Sequence, residues 1–355
     1  MIHVEWHGNG PARICIIGYE IDERSGWGIA RYTWQLIRNL KFATGIEVAF
    51  TGCGTPSKKL LRRNLEKLAF FCKVFKLKGS LYHAITPILA IPLAVANKSP
   101  SVVTVHDLLH FYRGYGSEHK MKLDFAYHAY VFDKLDAAIT VAEYWKRDIM
   151  RMFGVENKKI HVVYNGVDTD KYKPIKGARS QQPKRILYVG SPTVLRGIDI
   201  LIQAFNMVSK EYKDTEFLIG GKVDKDYILK LSKKFDVNVK HIGFIPEERL
   251  PYLYSSAHVF VNPPTDEFSL MLLEAMACGT PVIARDIFEV REYLGDAALM
   301  VNSEKPSELA EAILKLLTDE KLWLRLSRRG LERARTFTWK RTAENTYKVY
   351  TKLLG

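Results

Sequence analysis

Nowhere does the sequence hold about eighteen consecutive apolar residues, so no bilayer-spanning helix is expected. Residues 1–12 are polar and include His3 and His7. They lack the basic start, apolar centre and small-residue cleavage site of a secretory leader. The expected location is therefore the cytosol, free or peripheral on a membrane face. Cysteine is scarce, and Cys15, Cys53, Cys72 and Cys278 form no close pair of metal-ligand spacing. Cys15 and Cys278 fall in apolar runs, where a thiol packs as a small core residue. Dense His, Cys, Asp or Glu spacing is also missing, so no metal site is expected. There is no short-period repeat, low-complexity tract or recognised nucleic-acid motif. Acidic residues are outnumbered, 39 against 53 Lys and Arg, which leaves a net charge of +14. Such a field concentrates nucleotides, nucleic acids or acidic lipids without choosing among them.

What is present is a chain of 355 residues, 47% apolar and 26% charged, enough for two medium domains with separate cores. Short β-branched or apolar runs recur at 13–18, 47–52, 101–107, 137–142 and 160–165, separated by longer stretches of helical character. After a polar stretch from Lys173 to Lys184 the alternation restarts, with runs at 185–190, 216–221, 239–244, 258–263 and 281–285. Strands alternating with helices predict parallel sheets. The expected fold class is α/β, with two Rossmann-like doubly wound domains facing across a cleft. The expected boundaries are 1–178 for a first domain, 179–338 for a second, and 339–355 for a helix closing back toward the first. Apolar positions at helical spacing, Trp339, Ala343, Tyr347, Tyr350 and Leu353, carry that last expectation.

The strongest local signal runs from Asn262 through Pro263, Pro264, Thr265, Asp266, Glu267, Phe268, Ser269 and Leu270 to Glu274. A strand leads through a Pro-rich turn into a helix that stops at Cys278-Gly279. Unpaired N–H groups at a helix start favour phosphate or sugar oxygens. Glu274 follows about two turns after Glu267 on roughly the same side, where a carboxylate can accept from ribose or sugar hydroxyls. The block Asp266 to Ile283 resembles the donor-binding signature of family 4 retaining glycosyltransferases, which have the B-type two-domain fold. In that register Asp266 takes the first acidic position, one methylene short of the usual Glu, and Ser269 stands where glycine is usual. Asp266 or the adjacent Glu267 would then serve the sugar, and Glu274 the ribose.

Other motifs follow in the order that the resemblance requires. Tyr188 to Phe205 is similar to the first strand-loop-helix of the family's donor domain, with Arg196 at the basic position that neutralises the diphosphate and Ser191 where many members carry a second cation. A guanidinium suits a leaving diphosphate whose charge grows in the transition state. Gly26, Trp27 and Gly28 lie in a segment resembling the glycine-rich loop that faces the sugar phosphate; a spaced glycine pair before a helix is otherwise a common turn. His106 at the end of the run 101–107 matches the histidine that contacts the donor sugar. Gly243 and Ile245 fall in the segment that resembles the loop holding the base.

The resemblance implies sugar transfer from a nucleoside-diphosphate sugar, such as UDP-glucose or GDP-mannose, to a lipid or saccharide acceptor. It implies retention of configuration, no metal and no other cofactor. Front-face attack, with the leaving phosphate taking the acceptor's proton, needs no side-chain nucleophile; domain closure would exclude water. Residues 57–78 combine an apolar stripe (Leu61, Leu65, Leu68, Phe71, Phe75) with many basic residues. Such a helix suits an anionic membrane surface, or equally a place on the sheet with a solvated basic face. Two other functions are carried forward: a sugar-nucleotide 2-epimerase of the same fold, and a non-catalytic basic protein that binds nucleotides or nucleic acid.

Overall fold

The computed structural model describes residues 13–19, 28–44, 47–53, 60–112, 118–190, 197–221, 225–262, 270–301 and 304–355. The chain divides into two compact units, Met1–Asn165 with Trp339–Gly355, and Gly166–Thr338.

The first unit runs β1 (Arg13–Tyr19), α1 (Gly28–Thr44), β2 (Glu47–Cys53), α2 (Leu60–Lys76), β3 (Leu81–Ala84), α3 (Pro87–Val95), β4 (Ser101–Val105), α4 (Leu109–Tyr112), α5 (Glu118–Lys134), β5 (Ala137–Thr140), α6 (Glu143–Phe153) and β6 (Ile160–Val162). Its strands form one sheet in the order β2-β1-β3-β4-β5-β6, with every pairing parallel. Helices cover such a sheet on both faces, so its central strands are apolar throughout instead of alternating. Ile14, Ile16 and Ile17 of β1 and Val102, Val103 and Val105 of β4 are wholly buried.

The second unit runs β7 (Lys184–Val189), α7 (Ile198–Glu211), β8 (Thr215–Gly220), α8 (Lys225–Lys234), β9 (Val239–Gly243), α9 (Leu250–Ser256), β10 (Val259–Asn262), α10 (Leu270–Ala277), β11 (Val282–Arg285), α11 (Phe288–Leu294), β12 (Leu299–Val301), α12 (Pro306–Thr318) and α13 (Glu320–Ala334). Its sheet has the order β12-β11-β10-β7-β8-β9, again all parallel. Read from β9, that is the 3-2-1-4-5-6 order of dinucleotide-binding folds. One core cluster packs α7, α8 and α12 on the sheet through Ile198, Phe205, Ile228, Leu309 and Ile313.

α14 (Trp339–Leu354) belongs to the first unit. Trp339 meets the edge of Tyr32 at 5.9 Å, and Thr342 Oγ1 donates to the Tyr164 carbonyl at 2.8 Å. The division differs from the expected one at residue 178, because residues 166–178 group with the second unit. There the Val167 N–H donates to the Phe337 carbonyl, the Ile175 N–H donates to Ser255 Oγ, and Lys171 pairs with Glu247. These contacts outweigh the polar composition of 173–184 that suggested a boundary there.

Both sheets also contain a strand beyond those expected, β3 in the first and β12 in the second. Cys15 and Cys278 are buried free thiols, pushed by burial up to about 11 and about 12. No helix among the described residues is long and apolar enough to cross a membrane.

Candidate functional site

In open α/β sheets, ligands bind beyond the carboxyl ends of the strands, where the strand order reverses. In the second unit this point lies between β7 and β10. The two segments that the sequence singles out both leave the sheet there, one after β7 toward α7 and the other after β10 toward α10. Ser191, Arg196, Asp266, Glu267, Phe268 and Ser269 are in those segments and lie outside the described residues, as do Gly26 and Trp27 of the first unit.

α10 is described from Leu270 onward, and its amino-terminal end lies at the carboxyl edge of the sheet. The helix closes where the sequence placed its end. Gly279 is left-handed with φ +73°, and the Gly279 and Thr280 N–H groups donate to the Met276 and Ala275 carbonyls. Glu274 is only 3% exposed, and its Oε2 accepts from the Tyr254 hydroxyl at 3.0 Å. Thr280 Oγ1 in turn donates to the Tyr254 carbonyl at 2.7 Å, which fixes α9 against the turn after α10. The Tyr254 bond orients the Glu274 carboxylate.

Beside this point the ends of β7, β8 and β9 form a seam of bare backbone. The Gly190 N–H donates to the Gly220 carbonyl at 2.9 Å, and the Gly221 N–H to the Gly243 carbonyl at 2.8 Å. Gly221 has φ +136°, and a Cβ there would meet the Gly190 carbonyl oxygen at 1.6 Å. Gly243 has φ +68° with open space around the position of a Cβ. Ile245 folds back over β8, so closely that a Cβ on Gly220 would strike its Cδ1. Of the two positions expected near the base, Gly243 therefore presents backbone, while the Ile245 side chain packs on the sheet end.

In the first unit the order reverses between β1 and β3. Gly28 opens α1 after the segment leaving β1 and is exposed. His106 directly follows β4. The ring of Tyr32 stands edge-on to it at 4.7 Å, and one ring nitrogen is hydrogen-bonded to the Ile85 carbonyl. Burial lowers its pKa to about 4, against the opposing pull of that carbonyl. The imidazole is thus neutral near neutral pH and uses its one proton on Ile85. Nε2 is left as a lone-pair acceptor, buried and without a partner among the described residues. The neighbouring strands resemble it in this respect, since Thr86 Oγ1 just beyond β3 and Thr140 Oγ1 at the end of β5 are also buried and unpartnered among the described residues. Three adjacent strands therefore end on polar atoms with unused hydrogen-bonding capacity.

Behind His106 lies a polar network. His83 of β3 contacts Thr104 Oγ1 at 2.7 Å through Nε2 and the Tyr350 hydroxyl of α14 at 2.5 Å through Nδ1. Tyr32 reaches Thr104 at 3.5 Å and also bonds Thr346. Burial drives His83 down to about 3 and Tyr32 up to about 12.

Sequence reading missed Tyr254, Tyr32, His83 and Thr86. Thr86-Pro87 was legible as a helix start, with Thr at the cap position and Pro at the first turn. Nothing local marks Tyr254, whose partner lies twenty residues away.

Comparison with known proteins adds the family. The family model described as Glycosyltransferase Family 4 matches residues 27–171, and that described as Glycosyl transferases group 1 matches residues 169–333. O-antigen chain mannosyltransferase B of Escherichia coli is 29% identical over 240 residues, 62% of this chain and 62% of that protein. D-inositol 3-phosphate glycosyltransferase of Corynebacterium glutamicum is 25% identical over 241 residues, 61% of this chain and 57% of that protein. The chain thus matches less than two thirds of the length of these relatives. Among solved structures, sucrose-phosphate synthase from Thermosynechococcus elongatus superposes with a TM-score of 0.80 at 22% identity, covering 96% of this chain and 99% of that one. HepE of Anabaena, solved with UDP and glucose, gives 0.77 at 16% identity, covering 96% of this chain and all of that one. With one model over each half and no gap between residues 27 and 333, the chain belongs to the family 4, group 1 glycosyltransferases and has their B-type fold.

Proposed function

We propose that the protein transfers a sugar from a nucleoside-diphosphate sugar to a saccharide or lipid acceptor, with retention of configuration and without a metal. The observation that carries this reading is the reversal of strand order between β7 and β10, with a buried, oriented Glu274 beside it. The second unit binds the nucleoside diphosphate. The backbone N–H groups of Phe268 to Leu270 donate to phosphate oxygens, Arg196 neutralises the diphosphate, and Glu274 accepts from the ribose hydroxyls. Asp266 or Glu267 accepts from the sugar. His106 Nε2 accepts from a sugar hydroxyl, which satisfies an atom that otherwise loses about 1–3 kcal/mol by being buried alone.

In the reaction the bond from the anomeric carbon to the diphosphate oxygen breaks, and a bond to the acceptor oxygen forms on the same face. The acceptor's proton passes to the departing phosphate. The protein lowers the barrier by positioning and by stabilising charge on the leaving oxygen. HepE of Anabaena, a structural neighbour, was solved with UDP-glucose, and the Escherichia coli relative is named a mannosyltransferase; both accord with a hexose donor.

Contact with an anionic membrane, for a lipid acceptor, is supported by α2. Its Phe70 and Val74 are buried, while Leu65 is 59%, Leu68 61% and Phe75 45% exposed. The exposed residues form a stripe at helical spacing flanked by Lys73 and Lys76. Part of the apolar stripe read from the sequence thus faces away from the sheet.

The test of the transferase reading is a thermal-shift panel of UDP-, GDP- and ADP-sugars without added metal, on wild type and Glu274→Gln. One nucleotide class is expected to raise the melting temperature of wild type and to do so much less for the variant. No rise with any donor at millimolar concentration would overturn the reading.

A further inference from the structure

β6 is the edge strand of the first sheet, three strands removed from the reversal point beside β3. At this edge lies a groove of about 450 Å³, bounded by α6, β6 and α14. Its polar lining is Lys146 from α6, His161 from β6, and Asn345, Lys348 and Lys352 from α14. Ile160, Val162 and Val349 supply apolar wall. Lys348 and Lys352 are four residues apart on one face of their helix, so both ammonium groups overhang the same side of the groove. Lys348 Nζ donates to Asn345 Oδ1 at 3.2 Å, and none of the three lysines is ion-paired with a carboxylate among the described residues.

Most charged side chains at a protein surface stand near opposite charges. Here three cations line one depression that has no carboxylate in its lining. Their field registers on His161, whose pKa is lowered first by burial and then by Lys352 and Lys146. A lone lysine near a helix end is ordinary, because it complements the helix dipole. Three of them drawn from two helices around one groove make a positive field that a multivalent anion would complement.

We propose that this groove is a second anion-binding site, which takes a phosphate monoester or diphosphate group. The ammonium groups of Lys146, Lys348 and Lys352 contact its oxygens, the Asn345 amide side chain donates a further hydrogen bond, and the uncharged part of the ligand lies along Ile160 and Val162. The site is independent of the transferase reading, since it shares no residue with the donor or sugar-contacting edges.

The test follows the His161 imidazole by NMR in the full chain during titration with pyrophosphate. Binding shifts the His161 resonance and raises its pKa, because the anion offsets the charge of the lysines. Lys348→Gln with Lys352→Gln keeps the aliphatic stems and weakens binding by on the order of tenfold or more. Retained thermal stability of this variant shows that it folds. A parallel arm uses vesicles containing phosphatidic acid. Response to pyrophosphate alone assigns the group to a soluble phosphate compound, and response to vesicles with little to pyrophosphate assigns it to a lipid headgroup; either, when lost in the variant, supports the site. No response to either probe at millimolar phosphate, or a response undiminished in the variant, overturns it.

Discussion

The Tyr350 hydroxyl of α14 lies 2.5 Å from Nδ1 of His83 in β3, and both side chains are wholly buried. This contact joins the two separate sequence segments of the first unit through its core. Tyr350→Phe removes the hydroxyl and leaves His83 Nδ1 buried without a partner, at a cost of about 1–3 kcal/mol. The melting temperature is expected to fall while the overall fold, followed by far-UV circular dichroism, is kept. An unchanged melting temperature would show that the contact contributes nothing.

Acid should weaken the fold early. Burial holds His83 down to about 3 and His106, His128 and His258 to about 4, against an ordinary value of 6.5. A histidine depressed in this way binds fewer protons folded than unfolded. Its contribution is therefore whole above about 6.5 and is lost progressively as pH falls toward 4 and then 3. The melting temperature should already decline between about pH 7 and about pH 5, before most carboxylates titrate. A flat profile over that range would contradict the burial of these rings.

Tyr254→Phe takes away the bond that orients Glu274 and leaves in place the carboxylate proposed to bind the ribose. Affinity for the nucleoside diphosphate should drop several-fold, measured by calorimetry, with a stability loss of about 1 kcal/mol. Stability lost with affinity intact would place Glu274 outside the nucleotide contacts.

Gly221→Ala should be severe. The residue combines φ +136° with a Cβ that would overlap the Gly190 carbonyl oxygen, and backbone on both sides cannot swing away. A loss of about 3 kcal/mol or more is expected in chemical unfolding.

Removal of metal is expected to change nothing. Once a donor has been identified, transfer should proceed at the same rate in excess EDTA; loss of activity restored by Mg²⁺ would refute metal-independent transfer. Leu65→Ser with Leu68→Ser should lower co-sedimentation with anionic vesicles several-fold and leave the melting temperature nearly unchanged, as both side chains are exposed.

The doubly wound architecture was legible because its long strands are continuous apolar runs, such as Arg13–Tyr19 and Lys184–Val189. β3 escaped because Leu-Tyr-His-Ala has no β-branched residue and places a histidine in mid-strand, whose burial depends on partners in β4 and α14. β12 is three residues long, too short for any periodicity to show. Glu274 and His106 could be singled out from motif position, whereas Tyr254, which hydrogen-bonds Glu274, and Tyr32, which packs edge-on against His106, could not. A contact with a distant partner is a tertiary fact, and helical spacing around Tyr32 reads only as core. The stripe read on α2 was Leu61, Leu65, Leu68, Phe71 and Phe75, but the residues that the fold buries there include Phe70 and Val74, outside that stripe, and Leu65, Leu68 and Phe75 stay outward. Periodicity can pick out an apolar stripe without saying which face of the helix is covered.

The grouping of α14 with the first unit bears on the order in which the protein is made. Residues 166–338 are translated between the two parts of that unit. The second unit has all of its strands and helices before Trp339 leaves the ribosome, and it can finish folding first. The first unit must wait with His83 and Tyr32 unpartnered by Tyr350 and Thr346 until the second has been synthesised. The half of the chain that is begun first is thus the half completed last.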